Sequence, residues 1–322
     1  MTLEQKYLDL FRPKIHWGKI IIDEEKCIGC GQCRDNCPGK VPELNEDSKA
    51  YMSRPECITC SNCVVTCPEE AITIAETFYI EEGYYKTVPA DIPYKYPAPP
   101  KDADGNATDY NPTETAIFER RSVRNFKPDP VPEPLIRRVL EAGRLAASTG
   151  NCQPWRFIVL TDTELLNEIS ARIQPMAQMV STMYRTDEML EMLAAQYEND
   201  PQPGMFDPRV QGGIYAVGEG VLPVFLNTPC LIIILGDERA IGGPEINVGI
   251  CGTNMTMVAN SLGLGACWCG FVNLINMLED VKERMGIEPP YKVIASVAIG
   301  YPAFKQSGMV AREAKPVTWF RP

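Results

Sequence analysis

Eight cysteines near the start of the chain are the residues best placed to do chemistry, and they repeat one spacing. Cys27-x2-Cys30-x2-Cys33-x3-Cys37-Pro38 is followed by Cys57-x2-Cys60-x2-Cys63-x3-Cys67-Pro68. Disulfides would need an oxidising compartment, and no signal peptide precedes these residues. Zinc takes paired Cys-x2-Cys hooks rather than two x2 steps followed by an x3 step. The spacing suits iron–sulfur cubes, in which thiolates converge on a small inorganic core and x2 steps let three sulfurs of one loop point inward. Pro38 and Pro68 lack an N–H, resist helix continuation, and turn the chain away after each fourth cysteine. The chemistry implied is single-electron transfer.

Over about residues 20 to 76 the repeat resembles the two-cluster bacterial ferredoxins. The second half keeps that family's ending as Cys67-Pro68-Glu69-Glu70-Ala71-Ile72. The first half departs from it, reading Cys37-Pro38-Gly39-Lys40-Val41, and the stretch from Lys40 to Glu56 is longer than a minimal ferredoxin needs. In such proteins the fourth cysteine of each run ligates the other cluster. The resemblance therefore implies one [4Fe-4S] cluster on Cys27, Cys30, Cys33 and Cys67, and a second on Cys57, Cys60, Cys63 and Cys37.

A ferredoxin uses only part of a chain of 322 residues, so a second domain is expected. Hydrophobic content of 45% supports a sizeable core. The net charge of −11 argues against nucleic acid and anionic membrane surfaces as partners. The longest strongly apolar run, Leu231 to Leu235, is far short of a bilayer span, so a cytoplasmic protein is expected. His16 is the sole histidine and precedes the first cysteine, which excludes a Ser–His or Cys–His nucleophile and a His-based zinc site in the large domain. Asn106-Ala107-Thr108 matches a glycosylation sequon that has no meaning without secretion.

Four segments follow. Residues 1–20 form an N-terminal arm in which Tyr7, Leu10, Phe11, Ile15 and Trp17 supply local core. Residues 21–76 form the two-cluster domain. Residues 77–112, with Pro89, Pro93, Pro97, Pro99, Pro100 and Pro112, read as a proline-stiffened linker carrying a turn at Asp102–Asn106. Residues 113–322 alternate helix and strand. A helix is expected over 133–147, with a stripe of Leu135, Val139, Ala142 and Ala146. Strands are expected at 157–160, 231–235 and 292–299. Thr161-x-x-Glu164 reads as a capping box. A helix with a stripe of Ile246, Ile250, Met257, Val258 and Leu262 ends at Gly263. Mixed helix and strand on a central sheet is the expected class. No dinucleotide fingerprint or P-loop is present, since Gly263-x-Gly265 follows a helix rather than a strand.

Three further motifs carry chemistry. Arg120-Arg121-Ser122-Val123-Arg124 offers guanidinium groups that hold a phosphate bidentately, against the alternative of a solvated basic surface. Ser148-Thr149-Gly150-Asn151-Cys152-Gln153-Pro154-Trp155 joins a helix to a strand with donors and acceptors on a tight loop. Gly265-Ala266-Cys267-Trp268-Cys269-Gly270-Phe271 is followed, beyond the last strand, by Arg312. Two thiols alone make a poor metal or redox site, so the Cys267-x-Cys269 pair reads as small hydrophobes.

In this order, with Pro130-Val131-Pro132 and Gly300-Tyr301-Pro302, these motifs resemble the nitroreductase superfamily of FMN enzymes over about residues 113 to 320. The resemblance implies a nitroreductase-like α+β fold, an intertwined homodimer, and FMN at the subunit interface. It implies Arg120, Arg121, Ser122 and Arg124 toward the phosphate and ring-carbonyl end, and Ser148 and Asn151 as loop contacts. It places Trp268, Cys269 and Gly270 beside the ring, where a backbone N–H meets N5, and makes Arg312 a second phosphate ligand. The methionine-rich segment 171–228, with Met176, Met179, Met183, Met189, Met192, Met205, Tyr184, Tyr197, Phe206 and Tyr215, reads equally as a substrate lid or as helical packing.

The leading expectation is an iron–sulfur flavoenzyme. Electrons from an external donor such as ferredoxin enter singly through the clusters and collect on FMN. They leave as hydride to an electron-poor small substrate of nitro, activated-alkene or quinone type. The alternatives are an FMN dehydrogenase sending electrons outward, and an electron relay or redox sensor with no substrate of its own.

Overall fold

The computed structural model describes residues 11, 14–83, 85–87, 92–183, 186–200, 207 and 211–321. The first part of the chain runs β1 (Ile15–His16), β2 (Lys19–Ile22), α1 (Gln32–Asn36), β3 (Pro42–Leu44), β4 (Ala50–Met52), α2 (Asn62–Thr66), β5 (Ile72–Glu76), β6 (Tyr79–Ile80) and β7 (Tyr94–Lys95). β2 and β5 pair antiparallel, with Ile20 opposite Ile74 and Ile22 opposite Ile72. The extra length between Lys40 and Glu56 folds into the antiparallel hairpin β3–β4. Ile20, Ala50, Ala71 and Ile72 build a small core shared with Cys27, Cys33 and Cys63.

The arm and linker carry more structure than their composition suggests. β1 pairs with β6, setting Ile15 opposite Ile80, and Trp17 leans on Phe78 at 5.5 Å between ring centres. His16 is committed locally, with Nε2 2.9 Å from Glu76 Oε2 and its ring stacked on Tyr79. Phe11 is buried and meets the Tyr197 ring edge-on. Tyr7, Leu10, Pro89, Tyr184, Met205 and Phe206 lie outside the described residues. Asp102 closes the 102–106 turn by accepting the backbone and side-chain N–H groups of Asn106.

The remaining elements are α3 (Pro112–Glu119), α4 (Glu133–Arg144), β8 (Trp155–Leu160), α5 (Thr163–Met183), α6 (Asp187–Asn199), α7 (Gln211–Gly218), β9 (Cys230–Asp237), α8 (Pro244–Ser261), β10 (Gly265–Trp268), α9 (Glu279–Arg284), β11 (Tyr291–Gly300) and β12 (Arg312–Glu313). The chain divides into two compact units. One holds Met1–Tyr110, Gln178–Ala216 and Gln306–Pro322, and the other Asn111–Ala177 and Val217–Lys305. In the first, β12 pairs with β7, and α6 buries Leu190, Leu193 and Ala194.

The second unit is built on a four-stranded antiparallel sheet in the order β10-β11-β9-β8. β9 explains the apolar run in the sequence. Cys230, Ile232 and Ile234 enter one core with Val139, Val248 and Met255. Leu231, Ile233 and Leu235 enter the other with Ile169, Ile173 and Val272. A strand covered on both faces has no polar face to alternate with. The class is α+β as expected, an antiparallel sheet flanked by helices and preceded in the chain by a small cysteine-bearing domain.

Three local expectations are corrected. The cap of α5 is Asp162, not Thr161, since Asp162 Oδ1 accepts the N–H groups of Glu164 and Leu165. α4 ends at Arg144 rather than at 147, and its buried face is Ile136, Val139 and Gly143. Gly143 sits there because a Cβ would meet the Met255 sulfur at 2.8 Å. On α8 the buried face is Asn247, Val248, Cys251, Met255 and Ala259, while Ile246 and Ile250 are 64% and 41% exposed. The apolar stripe misled because a polar residue, Asn247, is the one drawn inward.

Candidate cofactor sites

In the first unit the cysteine loops share one backbone device. Gly29 and Gly31 in the first loop have φ of 74° and 73°. Thr59 and Ser61 occupy the same places in the second, with φ of 49° and 62°. Left-handed backbone is costly for a β-branched residue. Thr59 is held there by its contacts, with Oγ1 accepting the Phe78 N–H at 3.1 Å. Lys40 and Glu70 are a third matched pair, with φ of 51° and 48°.

Cys27, Cys30, Cys33 and Cys67 line one cavity together with Ile28, Ala50 and Ile72. Burial pushes the Cys33 thiol up to about 11, and Cys30, Cys27 and Cys67 add to the push. In the other half, burial and then Cys60, Cys37 and Cys57 push Cys63 well above its ordinary range. Backbone N–H groups point at sulfur: Ala50 at Cys27 and Val41 at Cys37 at 3.4 Å, and Ala71 at Cys67 at 3.3 Å. Such bonds tune cluster potentials. Four thiols lining one cavity are the donor set that a [4Fe-4S] cluster takes.

In the second unit, two of the three sequence motifs meet directly. The Val123 N–H donates to Ala266 O at 3.0 Å, and Ser122 bridges Ala266 in parallel fashion. This docks the arginine segment against β10. Gly265 permits it, since a Cβ there would lie 2.7 Å from the Val123 side chain. Arg120 and Arg124 are half-buried. Arg121 is turned inward, 7% exposed, with Nη1 donating to Phe118 O and Arg120 O at 2.7 Å. It binds the backbone at the end of α3.

The loop after α4 is pinned by a residue that the motifs did not flag. Asn247 is fully buried, accepts the Thr149 N–H at 3.0 Å, and donates to Gly243 O at 2.8 Å. Ser148 Oγ accepts the Gln153 N–H, and Asn151 Oδ1 accepts from Gln153 Nε2. Gly150, Asn151 and Gln153 all have positive φ, at 60°, 54° and 45°. The loop is thus tightly coiled over the start of α8.

Trp268 completes the link to α8, because its indole lies over Gly252, whose added Cβ would be 2.2 Å from Cη2. The Cys269 N–H donates to Ser296 O at 3.0 Å, and Ser296 Oγ returns a bond to Cys269 O. That N–H is committed to the sheet. The next donor is Gly270, the first residue of the 3₁₀ stretch Gly270–Met277, where an N–H has no intrahelical acceptor. Cys267 and Cys269 are buried and their thiols pushed up by that burial, with the Arg124 guanidinium opposing in both. Arg312 belongs to the other unit, on β12 beside Lys95.

A model of the nitroreductase family matches residues 117–301, more than half of the chain. The chain belongs to the nitroreductase family. A second model, of the 4Fe-4S dicluster domain, matches residues 19–68. A Methanothermobacter thermautotrophicus protein whose name pairs NADH dehydrogenase with NAD(P)H nitroreductase is 26% identical over 191 residues, 58% of this chain and 76% of the relative. The 4-nitrobenzoate reductase of Pseudomonas putida is 22% identical over 202 residues, 58% of this chain and 84% of the relative. An FMN-bound nitroreductase from Bacteroides fragilis covers 66% of this chain and 100% of its own, at 20% identity and a TM-score of 0.47. The family match spans all three motifs of the second unit. Sequence patterns overlooked Asn247 and Gly252. A lone polar residue and a glycine inside an apolar helix are the signal such positions leave.

Proposed function

We propose that the chain is an FMN-dependent oxidoreductase that reduces an electron-poor small organic molecule of nitro, activated-alkene or quinone type, supplied with single electrons through its N-terminal domain. The observation that carries this is the docking of the arginine segment on β10. It joins phosphate-binding side chains to the Trp268–Gly270 stretch within one family-matched unit. When bound, FMN supplies both one- and two-electron redox chemistry, and [4Fe-4S] clusters pass electrons one at a time.

Arg120, Ser122 and Arg124 hold the flavin's phosphate and ring-carbonyl end. Ser148 and Asn151 contact it from the pinned loop. The Gly270 N–H is the donor toward N5, Trp268 walls the ring, and Cys269 serves by fixing the strand. Arg121 positions this segment rather than touching the cofactor. Cys27, Cys30, Cys33 and Cys67 hold one cluster, and Cys57, Cys60, Cys63 and Cys37 the other. No histidine lies in the second unit, so the substrate proton comes from tyrosine, carboxylate or water. Residues 171–228 are the place to look for substrate selection.

The exposed Leu145, Ile241, Ile246 and Ile250, around the loop and α8, support a homodimer with this face covered. The purified protein is expected to carry about eight irons and one flavin per chain. With a strong reductant it should reduce members of a nitro, enone and quinone panel. A protein holding both cofactors but inert toward the whole panel would remove the enzymatic reading and leave an electron relay. A redox titration that places the clusters well above FMN would reverse the direction of flow.

A further inference from the structure

The two halves of the cysteine repeat are alike in backbone and unlike in coverage. Gly29 corresponds to Thr59, Ile28 to Ile58, Cys30 to Cys60, and Lys40 to Glu70, and the left-handed positions match pair by pair. Yet Ile28 is 63% exposed and Cys30 is exposed, whereas Ile58 and Cys60 are only partly so and Thr59 is buried. The second half is covered by residues outside the repeat. Gly18 bridges Cys57, the Phe78 N–H bonds Thr59 Oγ1, and the Ser307 N–H bonds Val65 O at 3.1 Å. Nothing among the described residues outside the repeat lines the cavity of Cys27, Cys30, Cys33 and Cys67.

Charge follows the same asymmetry. Glu69 and Glu70, after Cys67, stand where Gly39 and Lys40 stand after Cys37, and Glu69 lines the open cavity. Glu24 and Glu25 precede Cys27 where Arg54 and Pro55 precede Cys57. The turn carrying Glu46 and Asp47 abuts the exposed loop, since a Cβ on Gly29 would strike Ser48 O at 2.2 Å. All six carboxylates are exposed. Of the two lysines nearby, Lys26 lies 3.7 Å from Asp23 and Lys49 donates to Cys27 O.

We propose that the open edge of the Cys27–Cys30–Cys33–Cys67 cluster is the electron port, and that it docks a redox protein presenting lysines or arginines around its own centre. Ile28 is the apolar contact at the middle, and the carboxylates orient the partner. One electron passes per encounter: the partner's centre is oxidised by one and the cluster reduced by one, with no proton or bond change. The inference rests on the cluster reading above. The charged rim contributes mainly to encounter rate and orientation, and salt screens it.

The test uses the holoprotein, with iron content and cluster EPR signals verified first, and a lysine-ringed c-type cytochrome as the probe. Dithionite-reduced protein passes one electron from cluster to ferric haem, and stopped-flow absorbance reads the rate. The rate constant should fall about tenfold or more from low to high ionic strength. E24Q/E25Q/E69Q/E70Q should flatten most of that dependence, and Ile28→Lys should slow transfer several-fold at low salt. The control E164Q/E198Q/E219Q/E283Q makes the same change in net charge and should leave the dependence in place. Carbodiimide cross-linking followed by peptide mass mapping should join probe lysines to Glu24, Glu25, Glu69 or Glu70. Equal flattening by the two quadruple variants, or cross-links confined to other carboxylates, overturns the port. Missing iron or missing cluster signals instead overturns the cluster reading itself.

Discussion

Replacing Gly252 with alanine separates the role of Trp268 from the general stability of α8. The new Cβ would lie 2.2, 2.8 and 3.0 Å from the indole's Cη2, Cζ2 and Cζ3. Ordinary carbon contacts are about 3.5–4.0 Å, so the ring must retreat by roughly 1.5 Å. Overpacking costs about 1–3 kcal/mol. Trp268 is 37% exposed and has room to swing outward, which favours the lower end. Alanine also gains about 1 kcal/mol of helix propensity over glycine. The net change in stability should therefore stay within about 1–2 kcal/mol, while the wall of the proposed flavin site moves substantially. Calorimetric Tm should shift by a few degrees, indole fluorescence should change, and flavin should bind more weakly. In a Trp268→Ala background the clash is gone, and Gly252→Ala should become neutral or stabilising. A large loss of Tm that persists without the indole would refute the packing argument. Unchanged flavin affinity alongside a shifted indole would refute Trp268 as a wall of the site.

Asn247→Ala removes a buried amide and leaves the Thr149 N–H unsatisfied, so a loss of about 2–3 kcal/mol in denaturant unfolding is expected, with weaker flavin retention. Cys67→Ala should abolish the same cluster EPR signal as Cys27→Ala, and Cys37→Ala the same one as Cys57→Ala; uncrossed pairing would show the opposite partners. Arg239 holds the Asp237 carboxyl down to about 2. Because the folded state depresses this pKa, the contribution is present above the ordinary carboxylate value near 3.8 and fades as pH falls toward 2. Asp237→Asn should thus lower Tm at neutral pH but hardly at all near pH 2, as read in a pH series of thermal melts.

What the sequence made legible is what depends on local spacing. The x2-x2-x3 runs, the β9 apolar run and the strands around 157–160 and 292–299 all have neighbours close in the chain or a pattern that survives without context. What stayed hidden depends on partners far away. Asn247 looks like a solvent-facing break in the α8 stripe, because the groups that draw it inward include Thr149, 98 residues earlier. Arg121 shares its motif with Arg120 and Arg124, yet it turns inward and donates to carbonyls at the end of α3. Asp162 outcompeted Thr161 as a cap because a helix start shifts by one residue at little cost. The Cys269 N–H sits in the expected flavin segment, but Ser296 claims it.

The strand order of the main sheet also sets a schedule. β11, the strand that joins β10 to β9, is made last of the four, after β8, β9 and β10. Until residue 300 has left the ribosome, β10 has no neighbour in the sheet, and the arginine segment docked on it has only an unpaired strand to hold. β8 and β9 can meet earlier, but β9 then offers a bare edge that is apolar from Cys230 to Leu235. Nascent chains stalled between residues 237 and 291 should be the ones most in need of a chaperone.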